Sequence, residues 1–403
     1  MELFWLEHKK LWRKKIVKIC VLLCFVYCVI FGSILLFQWF GFGSSDDYTS
    51  AFGNNFDGYT VIKDSQEYAL SFGGELTDET LQQIVSDYQQ MEADGMEEEL
   101  EKTDWQIVNS WLGTLYPELR DTGNYKTMIS YVDPDKLTGF YERRQQVLDE
   151  FLEVSGQVGA EKEYLHQIDG KVEKPFHYEW VEGWSTLLGS MVADLGVVMA
   201  LFLGIVLSSL FAGEWHDNTS TLVLTTRNGW GKIALAKILT GLAFTVELFA
   251  LLAVSSVISQ LFFMGTAGWN MPIQNIKLIA VAPMNMLQAE IYEYAFVLLG
   301  AIGFAGIVMF ISAAVKNNVL TLLLSLTVVY GPMMIAEYLP YGMQKALDLI
   351  PLVGSSTDIF RTNTFRIFGK LIWSPYLLII IPVLIGILCM PFAIKSWSRR
   401  MKA

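Results

Sequence analysis

Residues 191–212, MVADLGVVMALFLGIVLSSLFA, and residues 233–256, IALAKILTGLAFTVELFALLAVSS, are two long apolar runs, and they decide the fold class. Each is long enough to cross a hydrocarbon layer about 30 Å thick, which takes roughly 20 apolar residues. Between them lies GEWHDNTSTLVLTTRNGWGK, residues 213–232, which is first acidic, then hydroxyl-rich, then basic. The two runs read as neighbouring membrane spans, and the polar stretch reads as the segment that turns between them.

The rest of the chain agrees. Of its 403 residues 53% are hydrophobic and only 17% charged, against about a quarter charged in soluble domains. Six spans are expected, at roughly 16–40, 187–212, 233–263, 289–315, 319–339 and 374–394. The fold class is therefore an all-α integral membrane protein with six transmembrane helices. The first span has no small-x-small cleavage site close behind it, so it is expected to stay as an anchor.

Lysine and arginine in short flanks orient the spans. Lys9, Lys10, Arg13, Lys14, Lys15 and Lys18 precede the first span, and Lys395, Arg399, Arg400 and Lys402 follow the last. Both termini are thus expected in the cytoplasm of a multi-pass cell-membrane protein. Segment 213–232 and the Lys316-Asn317-Asn318 turn fall on the same side.

Residues 41–186 are expected outside, as an extracellular domain inserted between the first two spans. The stretch 43–185 holds 30 of the 41 acidic residues but only 10 of the 29 lysines and arginines. It contains no cysteine, so disulfides do not hold it together. LTDETLQQIVSDYQQM reads as a helix capped by Thr77, with Asp78 and Glu79 at the positive end of its dipole. A second helix is expected after Pro134, and FDGYTVIKD with YALSFGG reads as a short hairpin. The domain is expected to be mainly helical. The MEEELE run reads as a solvated face and lacks the ligand spacing of a calcium loop.

Residues 1–15 form a basic amphipathic pattern. Phe4, Trp5, His8, Leu11 and Trp12 share one face, and Lys9, Lys10 and Arg13 take the other. This predicts a helix lying in the cytoplasmic interface, with Phe4, Trp5, Leu11 and Trp12 as its membrane-facing side. Cys20, Cys24 and Cys28 share one face of the first span and read as packing residues, with a metal relay as the sharper alternative. The histidines form no ligand pair at helical spacing, and no metal site is expected.

GWGK and RIFGK invite a phosphate-loop reading and fail it. The loop needs a glycine five residues before the Gly-Lys pair and a Ser or Thr after it. Thr226 and Thr364 stand at the first position, Ile233 and Leu371 at the second. No Ser/His/Asp or Cys/His set stands out, so no catalysis is expected of this chain. Segment 213–232 is longer than a helix-to-helix turn needs, about 2–8 residues. Glu214 and Asp217 share a helical face at its start. It therefore reads as a short interfacial helix offered to a cytoplasmic partner, with a plain polar turn as the alternative.

FAGEWHDNTSTLVLTTRNGWGKIALAKIL resembles the first intracellular segment of type-2 ABC exporter permeases. Phe211, Glu214, Thr219, Leu222, Leu224, Arg227, Lys232 and Lys237 take the places of that pattern, and Asn218 stands where a glycine is usual. FGGELTDETLQQIVSDYQQM, DKLTGFYERR and KPFHYEWVEGW are similar to phrases of the bacterial subset with a large insert between the first two spans. The resemblance implies a permease that pairs with an identical or related permease and binds two ABC ATPase subunits. ATP and magnesium would be handled by those partners and not by this chain. Glu214, Trp215, Asp217, Thr219, Arg227 and Lys232 would form the coupling segment. It also implies half-buried extracellular helices at about 345–372, where Arg361, Arg366 and Lys370 lie against the charge rule. Membrane lipid is the other expected partner, and nucleic acid is not one.

Asp194 and Glu247 are the acidic residues that this reading places inside spans, where charge is costly and often functional. They would share a proton or hold a cationic group if they met; the alternative is that each is bonded to a neighbouring helix. Three functions follow. The first is an ATP-driven exporter of a peptide, drug or lipid-like substrate, with antimicrobial-peptide resistance as the leading expectation. The second is a mechanical or signalling partner that moves its outer domain without transport. The third is an ion-coupled secondary transporter that uses Asp194 and Glu247.

Overall fold

The computed structural model describes residues 2–39, 62–63, 66–67, 73–95, 105–121, 126–188, 192–216, 231–354 and 362–399, with side chains described for all of these but 31–39, 105–106, 192–194, 216 and 341. Helices dominate. In chain order they are α1 (Glu2–Arg13), α2 (Lys15–Trp39), α3 (Asp78–Ala93), α4 (Trp105–Leu115), α5 (Phe140–Val154), α6 (Ala160–Asp169), α7 (Glu182–Thr186), α8 (Val192–His216), α9 (Lys232–Met264), α10 (Met286–Ala314), α11 (Asn318–Ile335), α12 (Tyr341–Leu347) and α13 (Ser374–Arg399).

Among the described residues five helices are long and apolar enough to cross a membrane: α8, α9, α10, α11 (with the turn that follows it) and α13. The first expected span, 16–40, corresponds to α2, whose side chains from residue 31 on lie outside the described residues. Helix α10 is the centre of the bundle and packs against α13, α8, α9 and α11. Its contact with α13 is a backbone approach. A Cβ on Gly386 would stand 2.5 Å from Gly303 Cα, and one on Gly306 would stand 2.4 Å from the Gly386 carbonyl oxygen. Small residues allow this closeness, and dispersion between the backbones then holds helices that water exclusion cannot drive together in lipid.

The starts of the helices follow from local chemistry. Asn285 caps α10 in a reciprocal box with Gln288, and Asn317 Oδ1 accepts from the amides of Val319 and Leu320 at the start of α11. These side chains satisfy amides that no earlier turn can reach.

The described residues between 73 and 188 pack beyond the C-terminal end of α9, with the α9–α10 connection in their core. Strand β1 (Gly74–Leu76) pairs antiparallel with β2 (Phe176–Tyr178). The expected helix after Leu76 is α3, and Thr77 caps it by accepting from the Thr80 amide at 3.2 Å. Asp78 does a further job: its carboxylate accepts from the Gly139 and Phe140 amides at 2.7 and 2.9 Å and so caps α5 as well. The expected FDGYTVIKD–YALSFGG hairpin lies almost wholly outside the described residues. The core joins Leu81, Trp111, Phe140, Leu148 and Phe176 to Met271, Ile273, Val281 and Met286 from the α9–α10 connection. That connection is therefore part of the insert's core and no mere surface loop.

One expectation is corrected. Half-buried helices were expected over about 345–372, but α12 ends at Leu347 and a hairpin follows: β3 (Thr364–Ile367) against β4 (Lys370–Trp373). TFRI alternates polar and apolar residues, and a turn at Phe368 and Gly369, whose φ values are 49° and 80°, brings KLIW back alongside it. Strands, not helices, fit such a turn and pairing.

Candidate functional site at the two ends of helix α9

The first part of the site forms where α1 meets the end of α8 and the first turns of α9. Glu214, in the last turn of α8, and Lys237, in the second turn of α9, are 3% and 2% exposed. Lys237 Nζ donates to Glu214 Oε1 and to Glu7 Oε2, both at 2.8 Å. Lys10 Nζ donates to the same Glu214 oxygen at 2.5 Å. Two carboxylates and two ammonium groups thus neutralise one another in a tight cluster. Burial of such charges is tolerable only when they are paired. Lys14, at the bend between α1 and α2, donates to Ser209 Oγ at 3.0 Å.

Helix α1 is clamped further along. Its His8 Nε2 lies 3.1 Å from Glu247 Oε1, and Trp12 Nε1 donates to Glu247 Oε2 at 3.0 Å. The Trp12 ring meets Phe244 edge-on at 5.9 Å. Leu11 is 1% exposed while Trp5 is 61% exposed. This corrects the expectation of one membrane-facing side made by Phe4, Trp5, Leu11 and Trp12. An apolar helix face covers whatever apolar surface lies nearest; here Leu11 and Trp12 cover α9, and Phe4 stacks on His8. Glu247 is tied to α1 rather than standing alone in a span. The Asp194 side chain lies outside the described residues.

Trp215 sits beside this cluster. Lys316 Nζ stands 4.4 Å over its ring, and its ring is 6.1 Å from that of Trp397, which also touches Phe211 at 5.5 Å. One hydroxyl pins α8 to α10: Ser312 Oγ donates to the Ser208 carbonyl and accepts from the Phe211 and Ala212 amides. Of the other expected coupling residues, Lys232 is exposed in the first turn of α9, and Asp217, Thr219 and Arg227 lie outside the described residues. Glu214, expected to meet a partner's charge, is instead engaged inside the chain by Lys10 and Lys237.

The second part lies past the other end of α9. Residues 271–273 run antiparallel to 284–286, with Met286 N donating to Met271 O at 2.9 Å and Ile273 N to Met284 O at 3.2 Å. The loop between them plugs into the insert. Arg144, fully buried on α5, grips Asp169 with both guanidinium nitrogens at 2.6 and 3.1 Å. Its Nε donates to Leu278 O at 2.8 Å and its Nη2 to Ala280 O at 3.1 Å. Trp111 Nε1 donates to Asn275 O at 2.8 Å, and Gln274 Nε2 bonds the Ala280 and Ala282 carbonyls. The planar guanidinium suits this task because its donors diverge in fixed directions.

Sequence reasoning missed Arg144, Glu290 and Glu293. Arg144 had a legible signal: it shares the buried face of α5 with Phe140, Leu148 and Leu152, an arginine on an apolar stripe. Glu290 and Glu293 are 4% and 0% exposed within α10, and Tyr294, which interacts with Glu290, pairs with the Ser256 hydroxyl at 2.7 Å. Both lie in the expected 289–315 span, in addition to the two acidic residues that the sequence reading named inside spans. Among the described residues no group of three or more potential metal ligands occurs.

No known family matches this chain, and neither does any curated protein or solved structure.

Proposed function

We propose that the chain is the permease subunit of an ATP-driven exporter of the type-2 ABC class. In this reading α1 and residues 213–232 face the cytoplasm and the acidic insert faces outward. Two ATPase subunits supply ATP hydrolysis with magnesium, and a second permease, identical or related, completes the path for a peptide, drug or lipid-like substrate. Antimicrobial-peptide resistance is the leading form of that export.

One observation carries the reading. The Glu7–Lys237–Glu214–Lys10 cluster joins α1 to both helix ends that flank the 217–230 segment. A push on that segment would thus be delivered to α8, α9 and α1 together, which is what a coupling segment requires. The sequence resemblance over 211–237 falls on the same residues.

A second reading is favoured by the Arg144 seat. The α9–α10 connection is held in the insert by a buried bidentate ion pair and several carbonyl bonds. Motion of α9 would therefore reach the insert, as a mechanical or signalling device needs.

The test is co-purification of the tagged chain from its host, with and without Asp217→Lys. An ATPase is expected to accompany the wild type, and its binding or its coupled hydrolysis is expected to fall in the variant while the chain stays inserted. Absence of any ATPase would remove both readings and favour the ion-coupled alternative. Transport into inverted vesicles separates the first reading from the second. Ser110→Cys, on the exposed face of α4, tests sidedness: an impermeant thiol reagent should label it on intact cells.

A further inference from the structure

A cavity of about 330 Å³ opens where the β3–β4 hairpin meets the insert and α12. It is as large as a small-ligand site, which starts at about 300 Å³. Its walls are the α5–α6 turn at Ser155 and Gln157, Glu161 of α6, Lys345 of α12, and Thr364 and Arg366 of β3. The charged side chains among these are two cations and one carboxylate, a surplus of one positive charge. That surplus stands against an insert in which acidic residues outnumber basic ones three to one.

Both cations are held in place. Lys345 Nζ donates to Thr364 O at 2.6 Å and lies 5.1 Å from the centre of the Phe365 ring. Burial pushes its ammonium below the usual lysine range, against the nearby Glu161 charge. Arg366 Nη2 donates to Glu161 Oε1 at 2.7 Å. That bond is the first cause holding the Glu161 carboxyl below its ordinary range. Thr364 Oγ1 donates to Gln157 Oε1 at 2.9 Å, which fixes the wall between them. A lysine drawn partly out of water gains most from an anion that replaces its lost hydration, and an arginine fork matches the oxygens of phosphate.

Position narrows the source. Strand β4 runs straight into α13 at Ser374, and Leu371, which lines the cavity, is three residues earlier, so ~10 Å along an extended chain. The cavity thus stands near the rim of the bundle, at the depth where lipid headgroups lie.

We propose that this cavity binds a net-anionic phosphomonoester headgroup, with Lys345 and Arg366 holding its oxygens and Glu161 acting as the internal competitor for Arg366. The site does not depend on the export reading, since it needs neither an ATPase nor transport.

The test is native mass spectrometry of the purified full chain in detergent. The probes are dihexanoyl phosphatidic acid, dihexanoyl phosphatidylcholine and inorganic phosphate. The wild type should bind one phosphatidic acid in preference to phosphatidylcholine. Lys345→Gln should weaken this about tenfold, the value of one charge-assisted hydrogen bond. Glu161→Gln should tighten it, because Arg366 is released. Lys171→Gln, at a separate cavity, should leave it unchanged, and melting temperatures check that each variant is folded. Competition by inorganic phosphate at equal concentration would assign the site to free oxyanions, and its failure to compete would assign it to lipid. Equal binding of the two lipids, unchanged affinity in folded Lys345→Gln, or weaker binding in Glu161→Gln would overturn the proposal.

Discussion

The two ends of helix α9 are both fastened by buried charge, but in different ways. Past its C-terminal end, Arg144 and Asp169 form a closed pair: the arginine is fully buried, the carboxylate is held by two nitrogens, and two loop carbonyls take further donors. At the N-terminal end, Lys237 and Glu214 are equally buried but share their bonds with Glu7 and Lys10, and Lys10 is half exposed. The first arrangement joins two parts of one core. The second joins a terminal helix to a bundle through groups that water can reach on one side. The first resists opening because the fully buried guanidinium would be stranded in a dry core, while Asp169 would keep only Lys174 Nζ at 3.9 Å. A cluster open to water on one side can exchange partners at lower cost.

The largest expected effect tests the closed pair. Arg144→Met leaves Asp169 only the more distant Lys174 Nζ at 3.9 Å and takes from the Leu278 carbonyl its donor, while the Ala280 carbonyl keeps Gln274. Breaking a buried pair from one side costs about 3–5 kcal/mol. Limited proteolysis should then cut within 271–286, where the wild type is protected. The double variant Arg144→Met with Asp169→Leu should recover only part of the loss, because the Leu278 carbonyl stays without its donor at about 1–3 kcal/mol. Full recovery would mean that the charge pair alone, and not the seat of the loop, holds this end.

Lys237→Met tests the shared cluster. Glu214 keeps Lys10, while Glu7 loses the bond that ties α1 to α9. The expected cost is about 1.5–3 kcal/mol, the worth of a hydrogen bond to a charged group. Amide exchange should rise across Glu2–Arg13 and stay unchanged in α10. If α1 stays as protected as before, the His8 and Trp12 contacts with Glu247 hold it and the cluster does not.

What the sequence made legible follows the range of the cause. The apolar runs at 191–212 and 233–256 and the Thr77 cap are local patterns, and α8, α9 and α3 form there. The 345–372 region was misread because a hairpin needs a strand partner across Phe368 and Gly369, which composition does not show. Helix α1 was legible as amphipathic, but nothing in residues 1–15 says that Leu11 would cover α9 rather than lipid. Arg144 was visible as an oddity on an apolar face, but its partner is 25 residues away and the carbonyls it holds are 134 and 136 residues away. Glu290 and Glu293 were hidden by the run they interrupt. Asp217, Thr219, Arg227 and the Asp194 side chain lie outside the described residues, so that part of the candidate site rests on sequence alone.

The smallest expected effect comes from the neighbour of the closed pair. Arg143 precedes Arg144 on α5 but is 31% exposed, and it bonds Glu118, whose side chain is 52% exposed, and the Thr138 and Leu115 carbonyls. Adjacent arginines thus place the same charge at the edge of the domain and in its core. The Glu118 carboxyl is held below its ordinary value of 4.5 by its own backbone amide first and by Arg143 after that. A carboxyl with a depressed folded value adds stability that is present above pH 4.5 and is lost as pH falls through the depressed value. Exposed pairs of this kind are worth less than about 1 kcal/mol. Arg143→Gln should therefore lower stability slightly at pH 7, and its gap from the wild type should narrow but not close as the pH is brought below the carboxylate range, because the Thr138 and Leu115 carbonyls also lose a donor. Arg144→Met should stay about 1–3 kcal/mol weaker down to the same pH, because its unsatisfied Leu278 carbonyl does not titrate. An Arg143→Gln loss as large as that of Arg144→Met would show that exposure is not what separates these two arginines.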